Sequence, residues 1–286
     1  MKQQKIASII FLVLAVTSCS PKETPTPAST VAPPLISAAE KRDQHDKSGL
    51  AVDYWSVLTL PGMDDVQVGR VVIKSVGEDP NKVEWDLDIY YPPNFDFKSQ
   101  LPAVLVVGAN KEWKSIISTA QLIAASDMIA ITYDAGMFRG TIGIHELINF
   151  IRENADHIRI DKDRICLWSN RDGPVHDQSL EPVLDTSQAY HPSIKCAVYL
   201  YAQMDTGGLE LSSDVPPLLV VHGGMDNSID RTSIEDFVDR AREMNVSIEY
   251  IVFEAAGQNF DFVHDTDETR TILQQTLDFF KDHLTD

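Results

Sequence analysis

The residues of this chain that could do chemistry are few and scattered. Ser169 closes the apolar run Arg164 to Trp168 and opens the segment Ser169-Asn170-Arg171-Asp172-Gly173. Cys166 lies within that run and Cys196 begins another. Three histidines stand near run ends or charged loops: His176 after Pro174, His222 after Val221, and His264 among Asp261, Asp265, Asp267 and Glu268. Each could carry a proton near neutral pH. A serine or thiol becomes a nucleophile only with a base in reach and a third group orienting that base, and spacing alone joins none of these. Ser169 would have to turn out of its strand to be exposed, His264 reads as a solvated loop residue, and His222 as a hydrogen-bonded core residue. Asp226 ends the Gly-rich turn Val221-His-Gly-Gly-Met-Asp226, where an Asp by itself reads as a cap or turn former. No carboxylate and histidine cluster has metal-ligand spacing and no Gly-rich phosphate loop follows a strand, so no metal and no cofactor is expected.

The charge narrows the partners. The 286 residues carry 43 Asp and Glu against 24 Lys and Arg, a formal net charge of −19. Nucleic acids and anionic lipid surfaces both need clustered cations, so no nucleic-acid partner is expected. With 43% hydrophobic residues and 8% aromatics, the chain can bury a core of domain size. Three cysteines do not make a disulfide framework.

The N-terminus reads as an address. Lys2 and Lys5 precede an apolar run, Ile6 to Val16, long enough for a signal-peptide core and short for a membrane span. It ends Val16-Thr17-Ser18-Cys19, which resembles the lipobox of bacterial lipoproteins. The resemblance implies a signal peptide over 1–18, lipidation of Cys19, and a membrane partner through that lipid. Ser20, in place of Asp, implies an outer-membrane address if the host is Gram-negative. Residues 21–34 hold five of the 15 prolines among Thr, Ser and Ala, and such a stretch stays extended and solvated. Residues 35–50 are polar and mixed in charge, so the tether is placed at 19–50 and the domain at 51–286. Residues 1–50 hold six Lys/Arg and four Asp/Glu, which leaves 18 and 39 for the domain and a charge of −21.

The domain must hold its chemistry on alternating strands and helices. Strand candidates are Val66 to Val76, Val83 to Tyr91, Ala103 to Val107, Met128 to Tyr133, Arg164 to Trp168, Cys196 to Tyr201, Pro217 to Val221 and Ile248 to Phe253. From the third onward they are continuous apolar runs, as strands covered on both faces are. Apolar residues recur at helical spacing in Ile144, Leu147, Ile148 and Ile151, in Ile234, Phe237, Val238 and Ala241, and in Leu273, Leu277, Phe280 and Leu284. The alternation predicts an α/β fold with a mostly parallel, eight-stranded sheet and helices on both faces.

Leu101-Pro-Ala-Val-Leu-Val-Val-Gly108, the Ile158-Arg-Ile-Asp161 turn before Arg164, the Val221 to Asp226 loop and the Gly257-Gln-Asn-Phe-Asp261 turn resemble the dienelactone-hydrolase-like members of the α/β-hydrolase superfamily. The resemblance runs from about residue 65 to the C-terminus. It implies a triad in the order Ser, Asp or Glu, His, with the serine on a G-x-S-x-G elbow. Here the elbow reads Ser169-Asn-Arg-Asp-Gly173 and puts Arg171 at the nucleophile position, where a guanidinium cannot form an acyl-enzyme. Asp226 keeps the acid position. The histidine position holds Gln258, or Asn259 in a register shifted by one, and an amide neither takes nor returns a proton. The loop that supplies an oxyanion-hole N–H in the family reads Gly108-Ala109-Asn110-Lys111, which makes Ala109 and Asn110 its candidates. The helix behind the elbow would run from Pro174 into Pro182, which breaks it. Cys166 and Cys196 fall on strands that the family fold makes neighbours and read as buried thiols, with a disulfide as the alternative.

The expectation that follows is a degenerate triad at Arg171, Asp226 and Gln258, in an envelope-tethered protein whose former active-site cleft binds a small molecule without turning it over. The alternatives are a carboxylic-ester or lactone hydrolase with a non-standard nucleophile, and a structural lipoprotein without a ligand. Arg171 either pairs with Asp226 or serves as an anion site.

Overall fold

The computed structural model describes residues 35–48, 54–74, 84–107, 110–133, 141–170, 193–201, 211 and 214–285. The signal peptide, Cys19, the proline-rich stretch, Ala109, Arg171, His176 and the Pro174 to Pro182 segment lie outside them. Nine strands form one sheet: β1 (Leu35–Ser37), β2 (Gln67–Lys74), β3 (Glu84–Tyr91), β4 (Leu101–Val107), β5 (Ile129–Tyr133), β6 (Ile160–Asn170), β7 (Ile194–Leu200), β8 (Leu218–Gly223) and β9 (Ile248–Phe253). Their order across the sheet is β1-β2-β3-β5-β4-β6-β7-β8-β9. β2 to β9 occupy the eight predicted runs. Pairing is antiparallel from β1 to β5 and parallel from β5 through to β9. β4, β5 and β8 are buried along nearly their whole length, which requires cover on both faces.

The helices among the described residues are α1 (Ala38–Ser48), α2 (Lys114–Ala124), α3 (Thr141–Glu153), α4 (Ala155–Ile158), α5 (Arg231–Glu243), α6 (Phe260–Val263) and α7 (Asp267–Leu284). The predicted stripes become the buried faces of α5, with Ile234, Phe237, Val238 and Ala241, and of α7, with Leu273, Leu277, Phe280 and Leu284. Leu147, Ile148 and Ile151 of α3 are buried as well. Both long C-terminal helices start on a side-chain cap. Asp230 accepts from the Thr232 amide and Thr266 from the Thr269 amide, each satisfying a donor that the helix itself leaves free. Phe280 packs its ring 5.7 Å from Trp168 on β6, so α7 closes over the centre of the sheet.

The domain begins earlier than its composition suggests. Residues 35–48, assigned to the tether by their polarity, form β1 and α1. β1 pairs with β2 through Leu35, Ile36 and Ser37, and the Ala38 amide bonds the Val66 carbonyl. The buried residues of α1 are Ala38, Lys41 and His45. They have helical spacing, but only one is apolar, so the stripe is invisible to a hydrophobic pattern. α1 and the segment that follows it cover α2: from α1, Arg42 Nε donates to Gln121 Oε1 at 2.9 Å, and from the segment, the Ser56 amide bonds Ser118 Oγ. α2 is consequently buried all round, from Ser115 to Ala124.

β4 lies between β5 and β6, so the strand order reverses at β4. Ligand sites of doubly wound sheets open at such a point, beyond the carboxyl ends of the strands. The carboxyl ends of β4 and β6 are neighbours at this point, and those of β7, β8 and β9 follow in the same parallel set.

Candidate functional site

The acid corner is built by two loops pressed together. After β8 the chain turns through Gly223, Gly224 and Met225 to Asp226. The Gly224 amide bonds the Phe253 carbonyl and the Met225 amide the Ala256 carbonyl, both at 2.8 Å. A Cβ on Gly223 would lie 2.5 Å from the Gly257 carbonyl oxygen, and one on Gly224 would lie 2.7 Å from the Glu254 Cα. The first contact is with backbone on the other loop and cannot give by a side-chain rotation. Gly223→Ala is therefore expected to cost about 1–3 kcal/mol, as overpacking does, measured as a lower urea midpoint.

Asp226 is only 8% exposed. Its Oδ1 accepts from the Ser228 amide at 2.8 Å and from Ser228 Oγ, an Asx turn with a hydroxyl added. Its Oδ2 is buried and has no hydrogen-bond partner among the described residues. Ser228 Oγ also lies 3.1 Å from Gln258 Oε1. A single hydroxyl proton cannot serve both acceptors. With the amide turned over, Gln258 Nε2–H donates to Ser228 Oγ, whose proton goes to Asp226 Oδ1, and the conflict at the hydroxyl is removed. The structure thus brings Asp226 and Gln258 together through Ser228. Asn259, the alternative in the shifted register, takes φ +60° at the N-cap position of α6 without a side-chain cap bond.

The other candidates stay apart from this corner or change character. His222 is fully buried, as expected of a core residue, but neither ring nitrogen has a hydrogen-bond partner among the described residues. Burial pushes its imidazole below the ordinary histidine range, against the pull of the Asp226 carboxylate. His264 rests its ring 6.0 Å from Phe253. Asp261, placed by sequence in the solvated acidic loop with it, is instead buried and accepts the Tyr201 hydroxyl at 2.8 Å. Tyr201 takes φ +43° at the end of β7, uncommon for a bulky residue. Ser169 remains within β6, 7% exposed, in register with Val107 and Tyr199. Cys166 and Cys196 are not thiols: they face each other in register on β6 and β7 and form a disulfide.

The turn after β4 is held by charge. Asn110 Oδ1 accepts the Glu112 amide at 2.8 Å, and the Asn110 carbonyl accepts the Trp113 amide. Lys111, next to this oxyanion-loop candidate, is 2% exposed. Its Nζ lies 2.8 Å from Asp86 and 3.4 Å from Asp88. Among the described residues, no group of three His, Cys, Asp or Glu side chains could hold a metal ion. No described helix is long and apolar enough to cross a membrane.

No family model matches the chain. Two curated proteins, from Escherichia coli strain K12 and from E. coli O157:H7, each provisionally named a carboxymethylenebutenolidase, are 30% identical to it over 118 residues. That stretch is 35% of this chain and 43% of each relative, so less than half of their length is matched. Among solved structures, the native esterase 2 of Thermogutta terrifontis superposes with a TM-score of 0.58 at 15% identity, covering 78% of this chain and 94% of the esterase. A provisional dienelactone hydrolase of Klebsiella pneumoniae gives 0.57 at 19% identity, over 75% and 98% of the two chains. With the sheet order and the carboxylate loop after β8, these likenesses show that the chain has the α/β-hydrolase fold and is similar to the dienelactone hydrolases among its neighbours.

Proposed function

We propose that this chain keeps the cleft of a dienelactone-hydrolase-like fold for binding, without Ser-His-Asp turnover. The observation that carries this reading is the acid corner. Asp226 stands at the acid position, and the side chain linked to it through Ser228 is the amide of Gln258, which cannot shuttle a proton. The sequence register puts Arg171 at the nucleophile position, which removes a second member of the triad. Losing either member costs orders of magnitude in rate.

A second reading is a hydrolase of carboxylic esters or lactones with a nucleophile other than residue 171, and the comparisons favour it. The neighbours are named esterases and dienelactone hydrolases, and the acid position is intact. The two readings part in one assay of residues 35–286 on short p-nitrophenyl esters and lactones, beside the Arg171→Ser, Gln258→His double variant. Binding without turnover predicts a wild-type rate equal to the protein-free rate, and a double variant at least about tenfold faster. Wild-type turnover well above the protein-free rate establishes the second reading instead. Arg171→Ala, screened with small carboxylates and phosphate, tests the anion-site role of that residue: wild type that binds none removes it.

The place of action we propose is the bacterial cell envelope, by lipidation at Cys19 with extracytoplasmic exposure. The Cys166–Cys196 bond supports an oxidising compartment. Palmitate labelling that is lost in Cys19→Ala tests the anchor.

A further inference from the structure

Six charged side chains meet where α1, the β2–β3 pair and the turn after β4 converge, and they balance as three cations against three anions. Asp88 of β3 is fully buried and accepts Lys41 Nζ at 2.6 Å and Arg70 Nε at 2.8 Å. Arg70 stands directly opposite it on β2. Lys111 reaches Asp86 and Asp88. Glu112 takes Lys41 Nζ on one carboxylate oxygen and Arg70 Nη2 on the other, each at 2.8 Å. Lys41 is 4% exposed, so it has given up nearly all of its water and depends on these two carboxylates.

The consequence lies in what Glu112 does next. Its side chain is gripped from α1 and from β2, while its own amide bonds Asn110 Oδ1. Asn110 in turn receives the Trp113 amide on its carbonyl, just before α2 begins at Lys114. A pull on the Glu112 carboxylate is therefore a pull on the Asn110 to Trp113 turn. We propose that Lys41 is a positioning residue for this turn, and that α1 is a clasp setting the turn's shape. Its bearing on the site rests on the reading of Asn110 as part of the oxyanion loop. The mechanical link from Lys41 to the turn stands whether or not the protein turns over an ester.

The test reads the link at the turn, using amide hydrogen exchange in the full chain. Lys41→Met keeps most of the aliphatic stem and removes the charge, and Lys41→Arg keeps the charge. Lys41→Met is expected to speed exchange at Glu112 and Trp113 by about tenfold or more, with less than about twofold change at Gly224 and Met225 in the distant acid corner. Lys41→Arg is expected to restore protection at the turn. Unchanged exchange at Glu112 and Trp113, an equal rise at all four amides, or failure of Lys41→Arg to restore protection overturns the proposal. If Lys41→Met does not fold, Glu112→Gln cuts the same link from the side of the turn and is read at the same amides. A negative ester assay with a positive exchange result leaves the clasp and removes the hydrolase; the converse removes the clasp alone.

Discussion

Asp88→Asn lowers the stability of the folded domain by about 3–5 kcal/mol, the cost of leaving buried charges without their counter-charge. The carboxylate is fully buried and touches Lys41, Arg70 and Lys111. Lys41 and Lys111 are themselves 4% and 2% exposed, so water cannot replace what the amide withholds. Glu112 and Asp86 keep part of the balance, which is why the estimate stops short of the full price of a bare ion. For a domain of this size the loss is a fall in Tm of about 10 °C. Surface pairs give a contrast: Asp278→Asn, on the exposed side of α7, should move Tm by less than about 1 °C. The same carboxylate gives an acid limb. Burial alone would raise its pKa, but the Arg70 hydrogen bond and the charges of Lys41 and Lys111 hold it at about 2, against 3.8 ordinarily. A depressed carboxyl stabilises fully above its unfolded pKa and ceases to do so as pH falls through the folded one. About 2 kcal/mol is therefore lost between roughly pH 4 and pH 2, and the wild-type minus Asp88→Asn difference in urea midpoint should shrink over that window. A difference constant down to pH 2 would remove the network from the account of stability.

The parts of this molecule that sequence makes legible are those whose burial is apolar. β4 to β8 read clearly because strands covered on both faces are apolar runs, and the partly buried edge strand β9 reads from its Ile, Tyr, Val and Phe. α5 and α7 read clearly because one face of each meets the core and the other meets water. α2 escaped because it is buried all round beneath α1, and Ser115, Ser118, Thr119 and Gln121 interrupt any stripe. β1 and α1 escaped because what they bury is Ala38, Lys41 and His45, and a buried lysine looks in sequence like a solvated one. The acid corner was half legible. Asp226 and Gln258 follow from register with the family, but Ser228, which joins them, was passed over. Its signal was the Asp226-Asn227-Ser228 spacing of an Asx turn. The disulfide was legible only as the alternative to buried thiols, since the register of two parallel strands is set by the whole sheet and not by the sequence separation of 30 between the cysteines.

Replacing both Cys166 and Cys196 by alanine is expected to cost about 3–4 kcal/mol. The bond joins β6 to β7 and closes a loop of 30 residues, and restricting the unfolded chain by a loop of that length is worth about that much in the chain-entropy account. Two further effects act on the same variant. Both cysteines are fully buried, so the lost sulfurs leave small voids that add to the cost. The freed denatured chain expands, so the dependence of stability on urea should steepen as the midpoint falls. That steepening separates the loop effect from the voids, which lower the midpoint alone. Reduction of the wild type by dithiothreitol in urea should reproduce the steepening without the voids. The mass of residues 35–286, which leave out Cys19, carries the complementary result: two hydrogens fewer than the thiol form, with no thiol labelled by iodoacetamide until the chain is unfolded and reduced. A body made in a reducing cytosol would then be the less stable form by the same 3–4 kcal/mol, a large share of what a domain has to lose. If the alanine variant loses less than about 1 kcal/mol with an unchanged urea slope, the cysteines act as packed thiols, and the disulfide gives no support to folding after export.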